Sequence, residues 1–223
     1  RQLESQRDNL DVLNQVVRHD IRNDIQIILA HAEALSDALD DDGMTNCEKI
    51  LEASRDAIEI TETARDITKV MIGEGADLSS VSLRTPLEEE IDSIGSSYEQ
   101  AVVTVDGSIP TADVRADDML AAMFRNLLTN AIQHNDKEIP EVMVSGTADD
   151  DVVRIRIADN GPGVPDDQKE RIFEEGEKSL DSDGTGLGLY LVRTLVDRYG
   201  GSIWVEDNEP SGSVFVVEIP RAE

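Results

Sequence analysis

The chain of 223 residues carries a single cysteine, Cys47. That excludes an internal disulfide and any metal site built from several thiolates. Basic residues are scarce, 20 against 48 acidic ones, and only five of them are lysine. With a formal net charge of −28, the protein repels DNA, RNA and anionic membrane surfaces, so no nucleic-acid partner is expected. No apolar run approaches the roughly 20 residues that a membrane-spanning helix needs, and no signal peptide is recognisable. There is no internal repeat and no low-complexity tract. The P-loop spacing Gly-x-x-x-x-Gly-Lys-Ser/Thr is missing as well, which excludes that route to phosphate binding.

What is present points to a folded protein. The acidic residues are spread evenly, and 39% of the chain is apolar. A disordered acidic tail has neither property. The surface reads as adapted to concentrated salt, where charges are screened over short distances and self-repulsion no longer loosens the fold. Aspartate exceeds glutamate and arginine exceeds lysine, a bias that fits a salt-loving microbe such as a halophilic archaeon. The chain opens with Arg1-Gln2-Leu3-Glu4, helical in pattern and without an initiator methionine. The expectation is a fragment with a sensory region upstream.

Residues 1–39 read as one helix. Leu10, Leu13, Val17, Ile21, Ile25, Ile28, Ala32, Leu35 and Leu39 recur every three or four positions, with no proline or glycine between them. Asp40-Asp41-Asp42-Gly43 signals a turn. A second helix is expected over residues 45–72, where Ile50, Ala53, Ala57, Ile60, Ala64, Ile67 and Met71 form a heptad seam. A lone hairpin cannot bury both stripes. A homodimer forming a four-helix bundle is the simplest remedy; the alternative is a hairpin packed on the rest of the same chain.

After Gly73-Glu74-Gly75 the pattern changes. Strands are expected at residues 81–83, 102–105, 113–115, 141–146, 152–159, 202–206 and 213–219, and helices at 86–98, 117–134 and 186–199. The fold class is therefore α+β, with a helical hairpin at residues 1–73 and an α/β sandwich at 74–223.

Four motifs carry the chemistry. Arg18-His19-Asp20-Ile21-Arg22-Asn23 lies in the first helix. His19 points away from the apolar stripe, Asp20 can orient its ring and take its proton, and Asn23 stands one turn further on the same face. Asn126-Leu127-Leu128-Thr129-Asn130-Ala131 places two carboxamides one helical turn apart, able to offer oxygen to Mg²⁺ without adding negative charge. Asp159-Asn160-Gly161-Pro162-Gly163 ends a strand, where a buried carboxylate can accept a hydrogen bond from an adenine amino group and glycines allow close approach of the base. Gly184-Thr185-Gly186-Leu187-Gly188-Leu189 opens a helix, whose amides can bind phosphate oxygens.

In this order, the four resemble the H, N, G1 and G2 boxes of sensor histidine kinases, over nearly the whole chain. The resemblance implies a dimerising hairpin, a Bergerat-type ATP-binding domain, and transfer of the γ-phosphate of ATP to His19 and then to an aspartate on a response regulator receiver domain. It implies His19, Asp20 and Asn23 as the catalytic set, with Asn23 supporting phosphatase activity. It implies Asn126 and Asn130 as Mg²⁺ ligands. Asn126, Asn130, His134, Asp159, Gly161, Gly163, Lys178, Gly184, Thr185, Gly186, Leu187 and Gly188 are the implied nucleotide contacts. Related ATPases of this fold carry a glutamate where Asn126 stands; an amide cannot activate water, which suits transfer to histidine. A cytoplasmic location is expected.

The boxes depart from the family pattern in places. Gln133 replaces the usual lysine and His134 the usual aromatic residue, with Lys137 or a lid residue as substitutes for the missing charge. Ile172-Phe173-Glu174 resembles the F box, but Glu174 and Glu175 follow where a basic residue is common, and Lys178 is the nearest cation. Residues 165–185 read as a mobile lid. A phosphatase-dominant enzyme and a nucleotide-binding signalling scaffold are the competing readings. Transfer within one protomer or between two depends on the handedness of the turn at residues 40–45.

Overall fold

The protein is described by a computed structural model that covers residues 21, 25–32, 35, 41–72, 77–174 and 186–222. The chain divides into two compact units, Arg1–Thr68 and Lys69–Glu223.

In the first unit, residues 25–32 form helix α1 and Asp41–Ile72 form helix α2. Residues 21 and 35 are helical too. The turn expected at Asp40–Gly43 is largely absorbed into α2, because an aspartate-rich start suits the positive end of a helix dipole. The two helices meet where the Cys47 thiol donates to the Ala32 carbonyl at 2.9 Å, both residues being buried. Ile25 and Ile28 face Asn46, Lys49, Ile50, Ala53, Ser54 and Ala57 across an open groove of about 470 Å³. The expected heptad seam stays partly uncovered: Ile50 is 48% exposed and Ile60 39%.

The second unit follows in chain order as β1 (Ser79–Ser82), α3 (Arg84–Ser97), β2 (Val102–Asp106), β3 (Asp113–Ala116), α4 (Leu120–Gln133), β4 (Glu141–Ala148), β5 (Val152–Asp159), a single 3-10 turn (Arg171–Phe173), α5 (Gly188–Arg198), β6 (Ser202–Asp207) and β7 (Ser213–Pro220). Five strands form a mixed sheet in the order β2-β4-β5-β7-β6, while β1 and β3 make a separate antiparallel pair. The hairpin of β4 with β5 is as expected, Val144 facing Ile157. The parallel pairing of β2 with β4 is not. It arises because β3 and α4 intervene, and a long crossover of this kind lets two strands run in one direction.

Alternation along the strands puts Val142, Val144, Ile155, Ile157, Phe215 and Val217 on one face of the sheet, all almost fully buried. Helix α4 packs against β4 and β5, with α3 and α5 beside it. Met123, Phe124, Leu127 and Leu128 of α4 and Leu191 and Leu195 of α5 have no exposed surface. Each such side chain contributes about 1.5–3 kcal/mol of transfer free energy. This layer fixes α4 between the sheet and α5, and so sets where its polar residues emerge. Asp159, two residues beyond Ile157, points to the same inner face.

Candidate functional site

Helix α4 is built from alanine, leucine and methionine, good helix formers, with asparagines at two consecutive turns of its buried side. Asn126 is 9% exposed. Its Nδ2 donates to the Ala122 carbonyl at 2.7 Å, so its Oδ1 is turned outward from the helix. That oxygen lies against the start of α5: a Cβ on Gly188 would stand 2.8 Å from it. Two motifs distant in sequence thus share one point in space. Asn130, one turn along and half-buried, makes no side-chain hydrogen bond among the described residues. His134 caps the helix and is exposed.

Near the C-terminal end of α4, Asp159 closes β5 and is 7% exposed. Its Oδ1 accepts from the amide of Gly161 at 2.8 Å and from that of Ser213 at 3.2 Å. Burial raises its pKa above the ordinary carboxylate value, and the two amide hydrogen bonds oppose that rise only in part. Oδ2 accepts no hydrogen bond among the described residues. Gly161 serves this arrangement directly, since a Cβ there would come within 2.9 Å of Oδ1. Gly163 adopts a left-handed φ of 81° and packs on the Gly212 carbonyl.

Several residues that sequence reasoning did not single out complete this turn. Asn160 Oδ1 accepts from Asn135 Nδ2 at 2.8 Å and from the Glu141 amide at 3.0 Å. Asn208 Nδ2 donates to the Asp159 carbonyl at 2.7 Å. Asparagines at strand and helix ends signal side-chain bonds to backbone; which partners they find is not legible from one chain. Gly212 is the most constrained: a Cβ there would lie 2.0 Å from the Asp159 carbonyl oxygen, at a φ of 112°. Gly212→Ala is therefore expected to destabilise the second unit by at least about 3 kcal/mol, read as a lower midpoint in urea.

Gly186, Leu187 and Gly188 lead into α5. Gly186 has a φ of 69°, and α5 starts at Gly188, where first-turn amides lack intrahelical partners. His19, Asp20, Asn23, Lys178, Gly184 and Thr185 lie outside the described residues.

Residues 116–223 match the family model of histidine kinase-, DNA gyrase B- and HSP90-like ATPases. Over 110 residues, 46% of this chain and 20% of the relative, the sequence is 40% identical to the sensor histidine kinase DpiB of Escherichia coli (strain K12). Over 224 residues it is 31% identical to the sensory/regulatory protein RpfC of Xanthomonas campestris pv. campestris, covering 92% of this chain and 30% of RpfC. The catalytic domain of the histidine kinase ThkA superposes with a TM-score of 0.53 at 28% identity, covering 66% of this chain and all of that domain. The chain is homologous to sensor histidine kinases. It spans about a fifth to a third of the length of the curated relatives it matches first.

Against the histidine kinase boxes, the departures have structural counterparts. Gln133, in place of the lysine, donates from Nε2 to the Tyr98 hydroxyl at 3.3 Å, at the end of α3. Lys137 pairs with its neighbour Asp136 at 2.9 Å. Phe173 of the F box is a core anchor, its ring 6.3 Å from that of Phe215 in an edge-on contact. The stretch expected as a mobile lid from residue 165 is folded at its start. Lys169 bridges Asp166 at 2.6 Å and Asp207 at 2.8 Å, and the Ile172 amide donates to the Gln168 carbonyl. Among the described residues, no cluster of histidine, cysteine, aspartate or glutamate could hold a metal ion.

Proposed function

We propose that this chain is the catalytic core of a two-component sensor histidine kinase, which phosphorylates His19 from ATP and passes the phosphoryl group to an aspartate of a response regulator receiver domain. The observation that carries the reading is the apposition of Asn126 Oδ1 and Gly188 midway along α4, with Asp159 Oδ2, which accepts no hydrogen bond among the described residues, near its C-terminal end. From Asn126 to Asn135, which donates to Asn160 beside Asp159, α4 rises about 13 Å. That span suits a nucleoside triphosphate laid along the helix, adenine at Asp159 and phosphates at the start of α5. Asp159 Oδ2 would accept from the adenine 6-amino group, and guanine offers an acceptor there instead. The first-turn amides of α5, with Gly184 and Thr185 before them, would take the phosphate oxygens.

The donor set also fits Mg²⁺. Asn126 Oδ1 is a neutral, hard oxygen held in place by the bond from its own Nδ2, and Asn130 offers a second one turn away. When bound, the ion neutralises phosphate charge. The chemistry then falls to the first unit. One ring nitrogen of His19 attacks the γ-phosphorus as the bond to ADP breaks, and Asp20 takes the proton from the other ring nitrogen. Asn23 would hold a water for the reverse, phosphatase direction. The division of labour follows residues 1–73 for dimerisation and phosphotransfer and 74–223 for ATP. The partly exposed seam at Ile50 and Ile60 supports a homodimer closing as a four-helix bundle. The upstream helix would bring the signal from a sensory domain. Such a core works in the cytoplasm, where ATP is; among the described residues no helix is long and apolar enough to cross a membrane.

The test is incubation with γ-labelled ATP and Mg²⁺ in molar KCl. Acid-labile, base-stable label on the chain is expected. Bound ATP with no label would overturn the autokinase reading and favour the phosphatase-dominant or scaffold alternative. Gly188→Ala gives a second check. The clash is with the far end of one side chain, so the fold is expected to persist with at most a small loss of stability. The new methyl group displaces Asn126 Oδ1, and Mg-ATP affinity is expected to fall about tenfold by titration, the scale of one lost interaction with a charged ligand.

A further inference from the structure

Helices α4 and α5 run antiparallel, and they are tied together at two points. One is the contact of Asn126 with Gly188. The other, at the far ends, is a buried polar cluster outside the site. The Tyr199 hydroxyl donates to Asp117 Oδ1 at 2.6 Å, and the same oxygen accepts from the Met119 amide at 3.0 Å. Arg198 Nη2 stands 3.2 Å from Asp117 Oδ2 as an ion pair. The Asp117 side chain has no exposed surface. Burial first, and then the Asp117 carboxylate, push the Tyr199 phenol far above its ordinary value, so the hydroxyl stays protonated and donating.

Between the two points along the helices, Met123 of α4 and Leu191 and Leu195 of α5 are fully buried and apolar. Ridges packed into grooves hold helices together but tolerate several registers. A buried apolar pair would bind the ends as firmly as this charged cluster does. What the cluster adds is direction, because a short hydrogen bond and an ion pair to one carboxylate fix both the rotation and the slide of α5 on α4. We propose that Asp117, Tyr199 and Arg198 act as a positioning strut that sets the register of α5 on α4 and thereby holds Gly188 and its first-turn amides against Asn126. The inference rests on the nucleotide site proposed above. It assigns these three residues to the phosphate end only, since Asp159 hangs on β5 and β7 and does not depend on α5.

The experiment compares the native chain with Tyr199→Phe, titrating Mg-ATP and adenosine by calorimetry well below the unfolding midpoint of each protein. Tyr199→Phe keeps the ring in its place and removes only the hydroxyl. Its Mg-ATP affinity is expected to fall roughly tenfold, as small misplacements of binding groups do, while its adenosine affinity stays within about twofold of native. Arg198→Gln removes the ion pair to the buried Asp117 and should give the same selective loss in smaller measure. Unchanged Mg-ATP affinity in both folded variants, or equal loss for both ligands, would overturn the strut. A native chain that binds neither ligand would instead overturn the nucleotide site itself, and the strut with it.

Discussion

His19→Gln is expected to abolish labelling from γ-labelled ATP while leaving ATP affinity within about twofold of native. The argument is chemical. Only an imidazole at this position offers a nitrogen nucleophile whose second nitrogen can shed a proton to the adjacent Asp20. Glutamine is close in size and a good helix former, so the helix expected from the sequence around position 19 is undisturbed. The proposed nucleotide contacts all lie in the second unit, and none is altered. Quenching of native and variant chains with alkaline detergent, followed by counting of the label retained after acid and after base treatment, separates acid-labile phosphohistidine from base-labile phosphoserine. Label retained by the variant at native level would move the acceptor to another residue. Label absent from both, with ATP still bound, would remove the autokinase activity altogether.

The second large effect belongs to Asp159→Asn, and here binding and stability are expected to move in opposite directions. The amides of Gly161 and Ser213 both donate to Oδ1, so they dictate which way the new carboxamide sits. Its oxygen must take the Oδ1 position and its NH₂ the Oδ2 position. A donor then faces the adenine amino group, which is also a donor. The lost bond and the unsatisfied group together cost about 1–3 kcal/mol, or roughly 10- to 100-fold in ATP affinity. Stability follows the pKa. The folded-state pKa of Asp159 is raised by burial, so the native fold is favoured most when the group is protonated and loses stability as pH rises through the folded value. Where Asp159 is ionised, the native chain carries a buried charge that the asparagine lacks. Asp159→Asn is therefore expected to unfold at a higher urea concentration than native at pH 7, with the advantage shrinking as pH falls from the raised folded value towards the ordinary carboxylate value. A variant that loses stability at pH 7 together with ATP binding would contradict this account of Asp159.

The sequence by itself determined the chemistry-bearing residue types and the elements that carry them. Periodicity placed α4 and its two asparagines, alternation placed the β4–β5 hairpin, and glycine spacing placed the opening of α5, each to within a few residues. These features are local. Hydrophobic period, turn residues and helix starts are written in neighbouring positions, so one chain suffices to read them. The same locality explains the misses at element ends. Aspartates at 41 and 42 read as a turn yet begin α2, because such residues favour a helix start as much as a loop.

Only the tertiary structure decided which of these parts meet. Nothing local in the sequence says that Asn126 Oδ1 rests on Gly188, that Gly212 must lack a side chain because the Asp159 carbonyl occupies its space, or that Tyr199 reaches Asp117. Nor does local pattern reveal that β2 runs parallel to β4. Each is a contact between residues far apart along the chain, set by how the helix layer packs on the sheet. Close packing leaves room for one arrangement of those side chains, and that arrangement turns separate motifs into a site.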